Sequence, residues 1–319
     1  MNQPKRPEVS IVIPLYNEQG SIERISSAVR TLMEGMKRTY EVLLVNDGST
    51  DRSCDIIHDL AEQDSHIVGV HFSRNFGKEA ALDAGLQNSK GQCIVFIDAD
   101  MQHPPECIEE MINRWDDGFD VVNAVKKKRG QESQAYRLLS RAFNRIMSNA
   151  TGDNFRGATD FKLIDRTVAD ALIECPERSR FFRGLVAWVG FKTTAIEFET
   201  AKRHDGDTKW SIWQLMKYSV ANIISFSSFP LILVSWVGVI TVFSGMILGI
   251  QTLYNYLAGN AVSGFTTVIM LLILLCGIIL LSLGTISLYI AKIYDEQKAR
   301  PLFVISTNTC STKRRRTTP

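Results

Sequence analysis

From Ser10 to Val125, short runs of strand-forming apolar residues alternate with segments whose apolar positions recur at helical spacing. The runs are Ser10–Ile13, Glu41–Asn46, Ile67–Phe72, Cys93–Ile97 and Asp120–Val125, the first of them expected to halt at Pro14. Between them helices are predicted over 21–36, with Ile22, Ile25, Val29, Leu32 and Met33 on one face, over the segment from the Ser49–Asp51 cap to about Gln63, and over 79–88. Regular strand-helix alternation predicts an α/β fold with a doubly wound, mainly parallel sheet, whose ligands bind outside the carboxyl ends of the strands. Polar residues stand at each of those ends: Tyr16-Asn17-Glu18, Asp47-Gly48-Ser49, Ser73-Arg74-Asn75 and Asp98-Ala99-Asp100. A further helix is predicted over Tyr136–Ala150, with Arg137, Arg141 and Arg145 as a cationic stripe.

The pattern then changes. From Tyr218 to Ala291 there is no Asp, Glu, Lys or Arg, while both flanks are densely charged. Residues 229–257 and 265–291 are each long enough to cross a bilayer, for which about 20 apolar residues suffice. A buried core hairpin is the competing reading, and two uncharged stretches of this length fit lipid better. The connector is short and carries no cation, whereas Lys209, Lys217, Lys292, Lys298, Arg300 and Arg314–Arg316 lie on the flanks. The excess of Lys and Arg predicts that both ends of the hairpin face the cytoplasm. The expected organisation is a cytoplasmic catalytic domain over 1–210, a juxtamembrane or interfacial segment over 211–228, the two spans, and a basic cytoplasmic tail over 292–319.

The mean hydropathy near zero averages two unlike regions. A net charge of +2 gives no global field for nucleic acid, although Lys126–Arg129 form a local basic run suited to phosphate or anionic headgroups. Six cysteines show no C-x-x-C spacing and read as reduced packing residues. The polar, proline-containing N-terminus has no apolar signal core. Neither G-x-G-x-x-G after the first strand nor G-x-x-x-x-G-K-[ST] occurs, which disfavours a dinucleotide dehydrogenase and a P-loop NTPase. The distinctive chemistry is Asp98-x-Asp100 after a buried run: on an extended strand, carboxylates at i and i+2 face the same way. Two hard oxygen donors suit Mg2+ or Mn2+, whose remaining ligands come from water and substrate phosphates. An isolated D-x-D is more often only a turn cap, so its company along the chain decides.

That company consists of Pro14-Leu15-Tyr16-Asn17-Glu18, Asn46-Asp47-Gly48-Ser49-Thr50-Asp51, Arg74-Asn75-Phe76-Gly77-Lys78, Asp98-Ala99-Asp100-Met101-Gln102-His103-Pro104-Pro105, and Arg203-x-x-Gly206-x-x-Lys209-Trp210. Five motifs in this order resemble the inverting family-2 glycosyltransferases, in particular the polyprenyl-phosphate sugar transferases. The resemblance extends over nearly the whole chain and implies a GT-A fold. Asn46 and Thr208 depart mildly from the usual Asp and Ser.

By resemblance, Pro14, Tyr16, Glu18 and Asp47 would line the nucleoside pocket. Asp98 and Asp100 would hold the cation on the donor diphosphate, assisted by Gln102, with Lys78 and Ala99 also on the donor side. Arg203 and Lys209 would close over the phosphates from a loop. Asp160 and Asp100 are the catalytic assignments, Asp160 standing where an acceptor-side base is expected. Arg129, Arg137, Ser140 and Arg141 are the acceptor-phosphate candidates. The implied activity is transfer of a hexose, glucose from UDP-glucose first, to undecaprenyl phosphate with inversion, at the bacterial inner membrane, for surface glycan such as lipopolysaccharide O-antigen. UDP-N-acetylglucosamine, GDP-mannose or a UDP-amino-arabinose are alternative donors, and a non-catalytic nucleotide-sugar-binding membrane protein is the alternative class. A homotetramer and a separate flippase for the product complete the expected partners, with no nucleic acid among them.

Overall fold

A computed structural model of the chain describes residues 6–127, 158–175, 177, 181–199, 229–258 and 264–308. They divide between two compact units, 1–211 with 300–319, and 212–299.

In the first unit the elements run β1 (Val9–Leu15), α1 (Ile22–Met36), β2 (Tyr40–Asn46), α2 (Ser53–Gln63), β3 (Ile67–Phe72), α3 (Lys78–Asn88), β4 (Cys93–Phe96), α4 (Cys107–Asp116), β5 (Val121–Lys126) and β6 (Ala158–Asp165). Helices α5 (Arg166–Glu174) and α6 (Phe182–Trp188), then β7 (Thr193–Phe198), precede the apolar helices, and β8 (Ile305–Asn308) follows them. The eight strands form one sheet in the order β7-β5-β6-β4-β1-β2-β3-β8. Its centre is parallel, with β1 beside β2 and β4, and β2 beside β3. β6 runs antiparallel to both β4 and β5, and β8 is antiparallel to β3, so the sheet is mixed.

Period-two alternation sorts the strand residues into two faces. Val9, Ile11, Ile13, Val42, Leu44, Cys93 and Val95 share one core with Ile22, Ile25, Val29 and Met33 of α1, Ile57 of α2 and Ile108, Met111 and Ile112 of α4. Val12 and Phe96 lie on the other face, against α3 and α6. A side-chain carbon on Gly85 of α3 would stand 2.1 Å from Val12 Cγ1, so this helix approaches the sheet more closely than an alanine would allow. Phe182 of α6 packs on Phe96 with ring centroids 4.5 Å apart.

β1 does not stop at Pro14; it continues to Leu15, with Pro14 in register with Val45. In a parallel strand alternate residues address alternate neighbours. Leu15 carbonyl accepts from Asp47 on the β2 side and Val12 carbonyl from Ile97 on the β4 side, which aims the Pro14 nitrogen toward β4. The pairing of β1 with β4 ends at Val12 and Phe96, so the missing N–H leaves no ladder bond unmade.

The second unit contains α7 (Phe229–Leu257) and α8 (Phe265–Gln297). Within them Pro230–Asn255 and Leu274–Gln297 are long and apolar enough to cross a membrane. Their large side chains are exposed: Trp236 and Phe243 by 62%, Leu281 by 73%. Helix α8 continues six residues past the uncharged stretch, through Lys292, Asp295 and Glu296. Hydropathy marks where charge begins, whereas a helix continues as long as its residues favour it. The chain then re-enters the sheet: Ser73 N–H donates to Val304 carbonyl (3.0 Å), and Phe303 stacks on Phe72 at 5.0 Å. Part of the expected tail is thus an edge strand of the first unit.

Candidate active site

The carboxyl ends of β1, β2 and β3 are stitched together before any functional group is considered. Asn17, in the left-handed region at φ 54° that Asn tolerates, receives Thr50 N–H on its Oδ1 (2.8 Å) while its own N–H reaches Ser49 Oγ (2.9 Å). Glu18 N–H donates to Ser53 Oγ, and its carboxylate accepts from Ser21 Oγ at 3.0 Å, beside the start of α1. Asp47 is buried and accepts from the Phe76 and Gly77 amides (2.6 and 2.9 Å). Burial raises its pKa, the two amides opposing the shift. Gly48, at φ 64°, lies so close to the same loop that a side-chain carbon would come 2.3 Å from the Arg74 backbone. Asp47 therefore fixes the turn that starts α3 and carries Lys78. Of the residues expected at the nucleoside, Pro14 is buried within β1, Tyr16 is exposed by 41%, and Glu18 and Asp47 have these local partners.

β4 ends at Phe96, two residues before the carboxylate pair, so Asp98 lies just past the strand and Asp100 in the turn that follows, neither on a strand. Strand alternation, the reason for expecting them to face one way, does not apply. Asp100 Oδ1 accepts Gln102 N–H at 3.1 Å, and Met101 adopts φ 57°. Ala99 is buried beneath the turn. Asp98 is partly exposed and points one oxygen at Lys78 Nζ, 2.6 Å away.

Lys78 also reaches Asp160 Oδ2, at 2.8 Å. Asp160 comes from β6, where alternation sends Phe161 and Leu163 to the core and Asp160 and Lys162 to the opposite face; both polar residues are buried. Arg183 closes the far side of Asp160, with Nε 2.5 Å from Oδ1 and Nη2 2.9 Å from Oδ2. Glu79, in the first turn of α3, accepts the Phe182 amide at 2.8 Å, which holds the start of α6 beside Lys78. Two carboxylates and two cations thus form one chain, Asp98–Lys78–Asp160–Arg183. Burial alone would raise the Asp160 pKa; Lys78 and Arg183 instead hold it well below the carboxylate range. Lys78 is far more open than Asp160, its side chain 44% exposed, and Asp160 and Asp98 keep its pKa above the ordinary value against the desolvation of its ammonium end.

Two residues here had no role assigned from sequence. Arg183 follows two phenylalanines in a stretch that reads as core; a guanidinium in such surroundings is itself a signal of a buried partner. His103 is buried between Phe161 and Phe198, its ring centroid 5.2 and 5.3 Å from theirs, with neither nitrogen hydrogen-bonded to a described residue. Its Nδ1 lies 3.9 Å from Asp98 Oδ2. Burial lowers its pKa, against the pull of Asp98 and Asp100.

The structure brings Lys78, Asp98 and Asp160 together and places Asp100 and Gln102 on the adjoining turn. Arg129, Arg137, Ser140 and Arg141, with the helix expected over 136–150, lie outside the described residues. So do Arg203, Lys209 and the segment 211–228.

The chain is 40% identical over 300 residues to the uncharacterized glycosyltransferase YkcC of Bacillus subtilis, covering 93% of both chains. It is 37% identical to an uncharacterized glycosyltransferase of Synechocystis, over 94% of this chain and 95% of that one. To the bactoprenol glucosyl transferase of Shigella phage SfV it is 33% identical, over 93% and 98%. The mixed sheet with its covering helices is GT-A-like. A family model described as glycosyl transferase family 2 matches residues 10–172, from β1 into α5, and so encloses Lys78, Asp98, Asp100 and Asp160. The chain belongs to glycosyl transferase family 2 and is a glycosyltransferase.

Proposed function

We propose that this glycosyltransferase transfers glucose from UDP-glucose to a polyprenyl phosphate, undecaprenyl phosphate in a bacterium, at the cytoplasmic face of the inner membrane and with inversion. The observation that carries the reading is the extent of the similarity. The match to a relative named bactoprenol glucosyl transferase takes in 93% of this chain and so cannot leave out the apolar helices. A helix pair with large apolar side chains in the open suits lipid as its solvent. An acceptor confined to the bilayer surface explains why a sugar-nucleotide enzyme carries such a pair.

Asp98 and Asp100 fit a hard divalent cation: they are oxygen donors two residues apart, and Asp98 already sits at hydrogen-bonding distance from a cationic group, Lys78. Mg2+ or Mn2+ held there with the donor would offset the charge that develops on the departing diphosphate. Lys78, within reach of Asp98, would face the donor phosphates in this reading. The acceptor phosphate has a second pKa of about 6 and arrives largely dianionic, so its oxygen needs little help to attack. A carboxylate held as firmly ionised as Asp160 is a weak base. Its role in this reading is to fix Lys78 and Arg183, and through them the geometry on the acceptor side. Attack opposite the diphosphate turns the α-linked donor sugar into a β-linked product. Arg203 and Lys209 closing over the phosphates, Arg129, Arg137, Ser140 and Arg141 meeting the acceptor, assembly as a homotetramer, and a separate flippase for the lipid-linked sugar belong to the same proposal.

The test is a panel of radiolabelled UDP- and GDP-sugars incubated with detergent-purified protein, undecaprenyl phosphate and Mg2+ or Mn2+, followed by extraction into organic solvent. Label from UDP-glucose alone should enter the lipid phase, and only with the cation present. Label entering from a different donor would replace glucose in the assignment.

A further inference from the structure

Among the described residues, Lys78 is the one cation within hydrogen-bonding distance of Asp98; His103 stands farther off, with Nδ1 at 3.9 Å. Asp160 is differently placed, because Arg183 grips both of its oxygens. The Lys78 ammonium therefore has a secure partner on one side and, among the described residues, is the sole cation within hydrogen-bonding distance on the other. Its side chain is 44% exposed, at the first residue of α3, so it has room to move. A divalent ion on Asp98 would be held by the same carboxylate oxygens that Lys78 faces. Lys78 Nζ lies 2.6 Å from Oδ1 of that same carboxylate. The two cations would compete for the Asp98 carboxylate and repel each other at such separations.

We propose that Lys78 is an internal counter-cation for Asp98, occupying that carboxylate in the donor-free enzyme and yielding it when a nucleotide diphosphate arrives with the divalent ion. The inference rests on the reading of Asp98 and Asp100 as the metal-holding pair. Asp160 serves as the pivot: Lys78 keeps its 2.8 Å contact there while its charge turns from Asp98 toward the incoming phosphates. Two consequences follow. The cation and the nucleotide bind cooperatively, because the diphosphate supplies the negative charge that lets both cations remain. The donor-free enzyme takes up little free metal.

Both consequences are readable without turnover. Mn2+ binding to the full-length protein in detergent is followed by the electron paramagnetic resonance signal of free Mn2+, with and without UDP. Wild type should bind Mn2+ at least about tenfold more tightly with UDP, within the usual range for coupled sites. Lys78→Gln should bind Mn2+ alone at least about tenfold more tightly than wild type, with a smaller further gain from UDP. Lys78→Arg, which keeps the charge, should behave as wild type. Unchanged or weaker Mn2+ binding by a folded Lys78→Gln protein without UDP overturns the proposal. So does equal wild-type affinity with and without UDP, a result that needs no variant. Asp98→Asn should abolish tight binding; if it leaves Mn2+ affinity intact, the metal reading itself is wrong, which is a separate failure.

Discussion

Arg183 holds both oxygens of Asp160, with Nε at 2.5 Å and Nη2 at 2.9 Å, and so ties the start of α6 to the middle of β6. Removing one partner of a buried ion pair typically costs about 3–5 kcal/mol, because a charge is left without compensation. Arg183 is about a third exposed and Lys78 still serves Asp160, so the cost of Arg183→Ala should lie at or below the lower end of that range. Arg183→Lys should recover part of it without restoring the two-pronged contact. Thermal melting of the detergent-purified variants checks the order wild type, Lys, Ala.

Asp98→Asn and Asp100→Asn should each lower transfer by on the order of 100-fold or more while the protein still folds, as losing a focused electrostatic contact does. Chelation of divalent ions should have a comparable effect on wild type. Steady-state rates with melting curves as a folding control decide it, and full activity in chelated enzyme would contradict the metal assignment.

Asp160 gives a pH prediction whose sign follows from its environment. Its folded pKa is depressed, by Lys78 and Arg183 acting against burial, so its stabilising charge is complete above the ordinary carboxylate pKa. That contribution is lost only as pH falls through the still lower folded value. Between pH 5 and 9 Asp160 stays ionised and adds no limb to the rate profile. The acid limb should instead follow the acceptor phosphate, near pH ~6. Asp160→Asn should therefore lower kcat strongly, leave the donor KM nearly unchanged, and keep that limb in place. Disappearance of the limb in Asp160→Asn would make Asp160 the base after all.

In a background without other cysteines, Asn260→Cys should be labelled by a membrane-impermeant reagent from outside intact cells and Ser311→Cys should not. Labelling at position 311 from outside would overturn the hairpin topology.

β8 carries a prediction about truncation. Cutting the chain before the hairpin also removes the strand that covers β3 and the Phe303 ring stacked on Phe72. Phe303→Ala should cost at least the roughly 0.5–1.5 kcal/mol that an aromatic pair adds beyond its burial. A soluble version lacking 212–299 should melt higher when residues 300–308 are joined back than when they are left off.

The parallel centre of the sheet was legible because β1 to β4 are mostly apolar runs and α1 shows one clean apolar face. β6 was not, since Thr159, Asp160 and Lys162 stand where a buried strand is expected to be apolar; all three are buried, and Asp160 sits in the site. β8 is too short and too polar to announce itself after a long apolar helix. The Asp98–Asp100 motif was readable as chemistry but misread as local structure, because the strand ends at Phe96 and the turn through Met101 has no hydrophobic signature. The pairing of Asp160 with Arg183 spans 23 residues and depends on β6 and α6 meeting, which spacing along the chain does not encode.

The central claim, inverting transfer to a polyprenyl phosphate, is tested most directly by the anomeric configuration of the lipid product. Wild-type protein is incubated with UDP-α-glucose, undecaprenyl phosphate and Mg2+ or Mn2+, the lipid is extracted, and the proton coupling at the anomeric carbon of the sugar phosphate is measured. The account predicts a β-linked glucosyl phosphate, formed in one displacement by the acceptor oxygen. An α-linked product, or glucose released to water with none on the lipid, would contradict it.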